Sequence, residues 1–233
     1  ISLPLIFLDL PMTAEEIKAV VQETLARNKY KNAIIRLTVT RGINAETFQI
    51  DSEIPPTLVV HARPHRPLPK TVYRKGVQIT LLTMRASGLP SLKRGLKTCN
   101  FLANIMVREI STQKGSMEGI IVDPDRGVTE GATSNLFIVK EGVLKTPVIN
   151  NLVLEGITRR AVLEIARDHK IPIEEGSMMP EDVLTADEVF ITSSGIDIVP
   201  VIRVDDTYIG NKKPGILTCF LQDEFLKGIE GAR

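Results

Sequence analysis

Cysteine is scarce in this chain, because only Cys99 and Cys219 occur in 233 residues. They form neither a CxxC pair nor a framework of several pairs, which excludes a small disulfide-stapled protein and favours reduced thiols in the cytoplasm. A surplus of charge is absent too, since 29 Lys and Arg stand against 28 Asp and Glu. This balance argues against nucleic acid or an anionic membrane surface as a partner.

Long apolar runs and metal-ligand spacings are also missing. No apolar stretch approaches the ~18 residues of a membrane span. The apolar residues 1–10 are interrupted by a proline and an aspartate and lack a basic region, so they are not a signal peptide. The chain begins with isoleucine inside this apolar segment, and we expect an upstream segment to be missing. Three histidines, His61, His65 and His169, show no spacing such as HExxH, which disfavours a metal enzyme.

Apolar sequence for a large core is present, since 43% of the residues are hydrophobic. Thr13 and Glu16 form a capping box ahead of a helical apolar pattern, which predicts a helix over residues 13–28. The segments 33–40 and 57–63 are β-branched and apolar, which predicts two strands. The first part of the chain therefore reads as a small α+β unit.

The proline-rich segment 62–70 predicts a linker, because proline disfavours helix and removes ladder donors. We therefore predict a small N-terminal α+β domain at residues 1–68, lacking its start, and a large domain at residues 69–233. In the large domain the patterns predict helices over residues 98–112, 157–170 and 214–227 and strands over residues 77–83, 118–122, 134–139, 143–146, 171–174, 188–192 and 198–204. The turn signals between short strands predict a sheet that curls into a pseudo-barrel flanked by helices, in an α+β fold of two domains.

Two charged residues stand out in the large domain. Lys97 directly precedes the predicted helix among apolar residues, and an amine attacks a carbonyl only in its neutral form, which a desolvated site favours. Glu130 lies in a segment of small and polar residues, where its carboxylate could enter a cleft. Taken singly, each residue is read more readily as an ordinary surface lysine or turn glutamate. Together they are the imine-forming amine and the ring-nitrogen carboxylate that a pyridoxal phosphate site needs.

Gly156 precedes the predicted helix at residues 157–170. A glycine there lets the amides of Ile157 and Thr158 face an anion, while the helix dipole favours negative charge. Ser193 and Ser194 follow a predicted strand and add hydroxyl donors. These residues are candidates for binding a phosphate, although a helix start capped by Thr158 and two turn serines would have the same sequence.

In this order the elements resemble the class IV aminotransferases, the pyridoxal phosphate enzymes of fold type IV. The family includes branched-chain amino acid aminotransferases, D-amino acid aminotransferases and aminodeoxychorismate lyases. The resemblance implies pyridoxal 5'-phosphate as cofactor, amino acid and 2-oxo acid substrates, a homodimer, and a pocket between the two domains. The motifs that carry it are LKTCNFLANI, EGIIVDPDRGVTEGATSNLFIVKEGVLKTP, LEGITRRAVLEIA and LTADEVFITSSGIDIVPV.

Family roles carry over to the matching positions. Lys97 matches the lysine that forms an imine with the cofactor and then moves a proton at the substrate α-carbon. Glu130 matches the carboxylate on the pyridine nitrogen. The phosphate contacts correspond to two amides and two hydroxyls, those of Ile157, Thr158, Ser193 and Ser194. The same motifs contain two residues for which we predict structural support, Asn135 and Arg159.

Departures from the family bear on the substrate. The Gly-rich N-terminal stretch of the family, and the phosphate-binding arginine that follows it, are absent from this sequence. Glu46 and Phe48 stand near the positions where the D-amino acid branch has Arg and His, and Phe101 stands where many branched-chain enzymes have a tyrosine. We expect an aminotransferase with a branched-chain-like amino donor; the alternative is an aminodeoxychorismate lyase that releases pyruvate and 4-aminobenzoate. Retention of Lys97 and Glu130 argues against a non-catalytic protein of this fold.

Overall fold

The described residues of the N-terminal part form one helix and one pair of strands. The computed structural model describes residues 3, 6–30, 32–43, 50–51, 53–85, 97–150 and 152–231, and the chain divides into two compact units, Ile1–Pro67 and Leu68–Arg233. In the first unit, helix α1 spans Ala14–Asn28, and strands β1 (Ala33–Thr40) and β2 (Thr57–Pro64) pair antiparallel. Thr13 and Glu16 form the predicted capping box. The predicted helix and both predicted strands are confirmed.

In the second unit, the described residues form a large mixed sheet with five helices around it. Its helices are α2 (Lys70–Lys75), α3 (Leu102–Gln113), α4 (Ile157–Asp168), α5 (Pro180–Leu184) and α6 (Ile216–Gly231). Its strands are β3 (Val77–Thr83), β4 (Glu118–Asp123), β5 (Gly127–Gly131), β6 (Asn135–Lys140), β7 (Val143–Pro147), β8 (Ile173–Gly176), β9 (Glu188–Ser193), β10 (Asp197–Val204) and β11 (Thr207–Tyr208). The sheet order is β5-β4-β3-β10-β9-β6-β7-β8, and β11 pairs with β10. Strand β3 runs parallel to β4 and β10, whereas β6 runs antiparallel to β9 and β7.

Both faces of this sheet are covered by apolar packing. On one face, Phe137 of β6 and Phe190 of β9 stack with ring centroids 4.9 Å apart, and α4 and α6 pack over them through Val162 and Leu221. On the other face, a second cluster joins the central strands to the partly buried Tyr73 of α2. Strands buried on two sides read as continuous apolar runs, which explains why β9 and β10 were predictable from sequence.

The sequence prediction was wrong at the start of α3. That helix begins at Leu102 and not near residue 98, and Lys97 therefore lies in an irregular segment ahead of it. Helices α2 and α5 were not predicted, because each is only about one turn long and follows a proline-containing segment that reads as a linker or loop. Within the described residues, every helix is too short or too polar to cross a bilayer.

Glu130 lies in a strand and not in a turn. Strand β5 was missed, since its residues GVTEG combine two glycines with a charged residue and have weak strand propensity. The strand forms because β4 provides a partner, with Val128 opposite Val122 and Gly131 opposite Ile120. A register shift between these pairs marks an irregularity in the ladder beside Glu130. Tertiary pairing, rather than local preference, therefore sets the position of this carboxylate.

Candidate active site

The carboxylate of Glu130 is held by two donors on one of its oxygens. The backbone amide of Leu154 donates to Oε2 at 2.8 Å, and Nδ2 of Asn135 donates to the same oxygen at 3.3 Å. Among the described residues, no donor engages the other oxygen, Oε1. One oxygen is thus fixed by the protein, while the other is available to an additional hydrogen-bond donor.

Burial dominates the electrostatics of this carboxyl group. Desolvation raises the pKa of Glu130 from its ordinary 4.5 to about 7, and the amide of Leu154 and the positive charge of Lys97 oppose that rise. A carboxyl group in such a site becomes a strong acceptor once a cation stands beside it, because an opposite charge favours the ionised form. The site is suited to a cationic N–H group.

Asn135 links the Glu130 carboxylate to the segment that leads into α4. Its Nδ2 donates to Glu130 Oε2 and also to the carbonyl of Leu154 at 2.9 Å, and its side chain is 5% exposed. A Cβ atom added to Gly156 would lie 2.1 Å from Asn135 Oδ1, so the amide packs directly on that glycine. Sequence reasoning predicted support from this asparagine but not its contact with Glu130. The sequence did contain a signal for this contact, because Asn135 follows Glu130 by five residues and a turn between two strands brings such residues close together.

Among the described residues, no side chain caps the N-terminus of α4. Gly156 is the N-cap residue, and no side chain caps the first turn within the described part of the chain. Thr158 is buried and does not cap the helix, whereas Ile157 is exposed. The first backbone amides of a helix lack intrahelical partners and lie at the positive end of its dipole. This end of α4 can therefore bind an anion.

The strand β9 ends beside the same asparagine. Thr192 pairs with Asn135 in the sheet, and Ser193 is the next residue and the last of β9. Ser194 is exposed in the following turn, where a Cβ atom added to Gly195 would meet open space. The Thr192 hydroxyl is buried and has no hydrogen-bond partner among the described residues. Polar groups of β9 and the uncapped end of α4 thus both adjoin Asn135.

Lys97 is exposed in the irregular segment before α3. The described residues do not desolvate it as the sequence analysis expected. It is nevertheless near enough to Glu130 for its charge to lower the pKa of that carboxyl. The structure therefore brings together the two charged residues that the sequence singled out.

Arg159 has contacts that support the predicted structural role. Its Nη2 donates to the carbonyl of Pro147 at 3.0 Å and to Glu175 Oε2 at 2.8 Å, and the residue is 2% exposed. These bonds tie the first turn of α4 to the ends of β7 and β8. Two other residues, Glu46 and Phe48, lie outside the described residues.

Comparison with known proteins identifies the family to which this chain belongs. Residues 2–204 match the family described as Amino-transferase class IV. A protein of Methanocaldococcus jannaschii, provisionally named a branched-chain-amino-acid aminotransferase, is 35% identical over 218 residues, which cover 94% of this chain and 75% of that protein. The D-alanine aminotransferase of Staphylococcus haemolyticus is 32% identical over 226 residues, covering 96% of this chain and 77% of that enzyme.

Solved structures agree with the fold as well. The branched-chain amino acid aminotransferase from Escherichia coli gives a TM-score of 0.87 at 25% identity, over 97% of this chain and 74% of that one. A second branched-chain enzyme, solved with pyridoxamine 5'-phosphate, gives a TM-score of 0.88. The predicted α+β fold, with its curled sheet flanked by helices, is confirmed by this likeness, and the predicted cofactor by the family. The chain belongs to the class IV aminotransferase family and is a pyridoxal phosphate-dependent aminotransferase.

Proposed function

We propose that this aminotransferase exchanges the amino group between a branched-chain-like amino acid and a 2-oxo acid, and that the unit Leu68–Arg233 binds the cofactor. The observation that carries the proposal is the meeting of Glu130, Leu154 and Asn135 at the uncapped end of α4. Similarity to the Methanocaldococcus jannaschii protein supports the branched-chain donor. Bound pyridoxal phosphate supplies the electron sink for the carbanion at the substrate α-carbon.

The described groups fit that cofactor at both of its ends. Glu130 Oε1 would accept a hydrogen bond from the protonated pyridine nitrogen, and the ionised carboxylate would favour the protonated form of that nitrogen. At the other end, the amides of Ile157 and Thr158 would hold phosphate oxygens in the field of the α4 dipole. Ser193 and Ser194 would donate hydroxyl hydrogen bonds to the same phosphate. Each end of the cofactor would then make hydrogen bonds in which one partner is ionised, and such bonds are strong.

Lys97 performs the proton chemistry in this proposal. Its amine would hold the cofactor at its aldehyde carbon and would supply the base that takes the proton from the substrate α-carbon. The exposed position of Lys97 leaves its amine accessible to a cofactor. The positive charge of Lys97 also acts on the Glu130 carboxylate, whose pKa it lowers. Asn135 and Arg159 do not touch reacting atoms; they fix the elements that carry Glu130 and the α4 amides.

An amino-donor screen tests the proposed reaction. Holoenzyme is mixed with L-Leu, L-Glu or D-Ala, and the absorbance of the cofactor and the 2-oxo acid product are followed. We expect L-Leu to convert the cofactor to its amine form and to yield the matching 2-oxo acid. Conversion by D-Ala alone would refute the branched-chain donor. Failure of every donor, together with pyruvate release from aminodeoxychorismate, would instead identify a lyase.

Replacement of Lys97 tests the catalytic assignment. We expect Lys97→Ala to abolish turnover, because no other described group is proposed to move the α-carbon proton. The matched control is Lys114→Ala, which removes an exposed lysine at the end of α3. Unchanged turnover in Lys97→Ala, or equal loss in both variants, would contradict the role of Lys97.

We also propose a homodimer, which the family resemblance implies. Exposed apolar side chains on one face of α3 support it; these are Leu102, Ile105, Met106 and Ile110. Such a stripe is typical of an interaction surface. Light scattering should give twice the chain mass, and Ile105→Glu should lower it, whereas Ile216→Glu at another exposed apolar position should not. A monomeric wild-type chain would refute this proposal.

A cytoplasmic location is proposed from the thiols. Cys99 and Cys219 are free cysteines. Reduced, unpaired cysteines suit a reducing compartment. Fractionation of the source cells tests the location, and recovery of the protein outside the cytoplasm would overturn it.

A further inference from the structure

Glu118 is a buried carboxylate that the proposed reaction does not use. It opens β4 and is 1% exposed. A buried carboxylate is costly unless several donors compensate for its lost hydration. The donors around Glu118 therefore indicate its structural role.

The strongest donors to Glu118 come from one turn. Thr133 Oγ1 donates to Oε2 at 2.6 Å and Ser134 Oγ donates to the same oxygen at 3.2 Å. On the opposite side, Oε1 accepts from the amide of Gly119 at 3.0 Å and lies 3.7 Å from Nη1 of Arg108 on α3. The carboxylate thus joins β4 and α3 to residues 131–134, which we term the β5–β6 corner.

The β5–β6 corner separates the carboxylate proposed to hold the cofactor from the side chain that supports that carboxylate. Glu130 immediately precedes it and Asn135 immediately follows it. Their side chains meet through a bond of 3.3 Å, which is already long for a hydrogen bond. A displacement of the corner by about 0.5 Å would break that bond, and functional geometry tolerates only about that much.

Close packing leaves the corner little freedom to adjust. A Cβ atom added to Gly131 would lie 2.3 Å from Ser134 Oγ and 3.2 Å from Glu118 Cγ. The amide of Ala132 donates to the carbonyl of Gly119 at 2.9 Å, and Asn104 Nδ2 donates to the carbonyl of Ala132 at 2.7 Å. Backbone contacts fix the middle of the corner, and Glu118 fixes its last two residues.

We propose that Glu118 is a positioning residue, whose buried carboxylate holds the β5–β6 corner so that Asn135 keeps Glu130 in its geometry toward the cofactor. The inference rests on the proposed roles of Glu130 and Asn135. A carboxylate suits the task because it accepts several hydrogen bonds and has no donor of its own. A glutamine can retain much of the network, since the Thr133 and Ser134 hydroxyls can rotate to accept from its amide.

The test compares corner variants with a remote variant that loses one hydroxyl bond. Thr133→Val removes the shortest bond to Glu118 without burying a hydroxyl, and Thr185→Val removes one hydroxyl bond at the end of α5 as the matched control. The measurements on the full chain are the thermal midpoint, the dissociation constant of pyridoxal phosphate, and the pH midpoint of the bound cofactor's absorbance. We expect Thr133→Val to weaken cofactor binding by about tenfold, the lower end of the effect of one lost hydrogen bond to a charged group, and to move the pH midpoint. Thr185→Val should change neither.

Two variants of Glu118 complete the experiment. Glu118→Leu should weaken cofactor binding by more than tenfold, because two hydroxyls lose their acceptor, and Glu118→Gln should restore it to within about threefold of wild type. If Glu118→Leu does not fold, Thr133→Val decides the outcome. Equal cofactor affinity and pH midpoint in Thr133→Val and Thr185→Val would overturn the inference.

Failure of the proposed function gives a different result. If Glu130→Gln leaves cofactor affinity and the absorbance midpoint unchanged, the role of Glu130 is wrong, whatever the corner variants show. If Glu130→Gln changes both while Thr133→Val changes neither, only the role of Glu118 is wrong.

Discussion

Glu130→Gln should stabilise the cofactor-free protein at neutral and alkaline pH. The glutamine oxygen can accept the bonds from Leu154 and Asn135 that Oε2 accepts in the native protein. Its amide nitrogen takes the place of Oε1, and no hydrogen bond is lost there because no described residue donates to that oxygen. The substitution therefore removes a buried charge and preserves the local hydrogen bonds.

The size of the effect follows from the pKa of Glu130. Folding raises that pKa from 4.5 to about 7, chiefly through desolvation. A carboxyl with a higher pKa in the folded state binds its proton more tightly there, so its ionisation destabilises the fold. The cost is absent below about pH 4.5, grows as the pH rises toward 7, and is complete above 7. With 1.36 kcal/mol for each pKa unit, this difference gives about 3 kcal/mol.

Urea denaturation of both proteins between pH 4.5 and pH 8 measures this difference. We expect the free energy of unfolding of Glu130→Gln minus that of wild type to rise to about 3 kcal/mol across the interval. Glu164→Gln, at an exposed position on α4, is the matched control and should stay within about 0.5 kcal/mol of wild type. A difference for Glu130→Gln that does not change with pH would refute the reasoning. So would a difference of opposite sign.

Three further substitutions test the contacts of Asn135, Gly156 and Glu188. Asn135→Leu should destabilise the protein by about 1–3 kcal/mol in urea denaturation, since the carbonyl of Leu154 loses its buried partner, and should raise the pKa of Glu130 further; equal stability would contradict this. Gly156→Ala should weaken pyridoxal phosphate binding in a titration by tenfold or more, because its methyl group meets Asn135 Oδ1, whereas Gly228→Ala on α6 meets nothing within 4 Å and should leave affinity unchanged. Glu188→Ala should cost about 2 kcal/mol without altering cofactor affinity, because it removes the carboxylate that caps the first turn of α6; a loss of affinity would place that residue in the site.

Elements with strong local signals were predictable. The capping box of Thr13 and Glu16 fixed the start of α1, and the apolar runs of β9 and β10 identified buried strands. Gly156, followed by an apolar helical pattern, located the start of α4. In each case the residues that define the element are neighbours in sequence, so periodicity and capping chemistry suffice.

The strand that carries Glu130 was not predictable in the same way. Its glycines and charged residue disfavour an isolated strand, and only pairing with β4 makes it one. The start of α3 was misplaced for a related reason, since the helical pattern extends back to residue 98 although the chain is irregular up to residue 101. Local propensity loses to tertiary pairing where the two conflict.

The sequence by itself determined the chemical groups: an amine at Lys97, a carboxylate at Glu130, and a glycine ahead of α4. The order of the motifs identified these groups, because the residue types that a reaction needs can be read from the amino-acid sequence. Only the tertiary structure decided how Glu130 is held, by the amide of Leu154 and by Asn135, and that burial raises its pKa to about 7. Hydrogen bonds and desolvation depend on groups far apart in sequence, and those meet only in the folded protein.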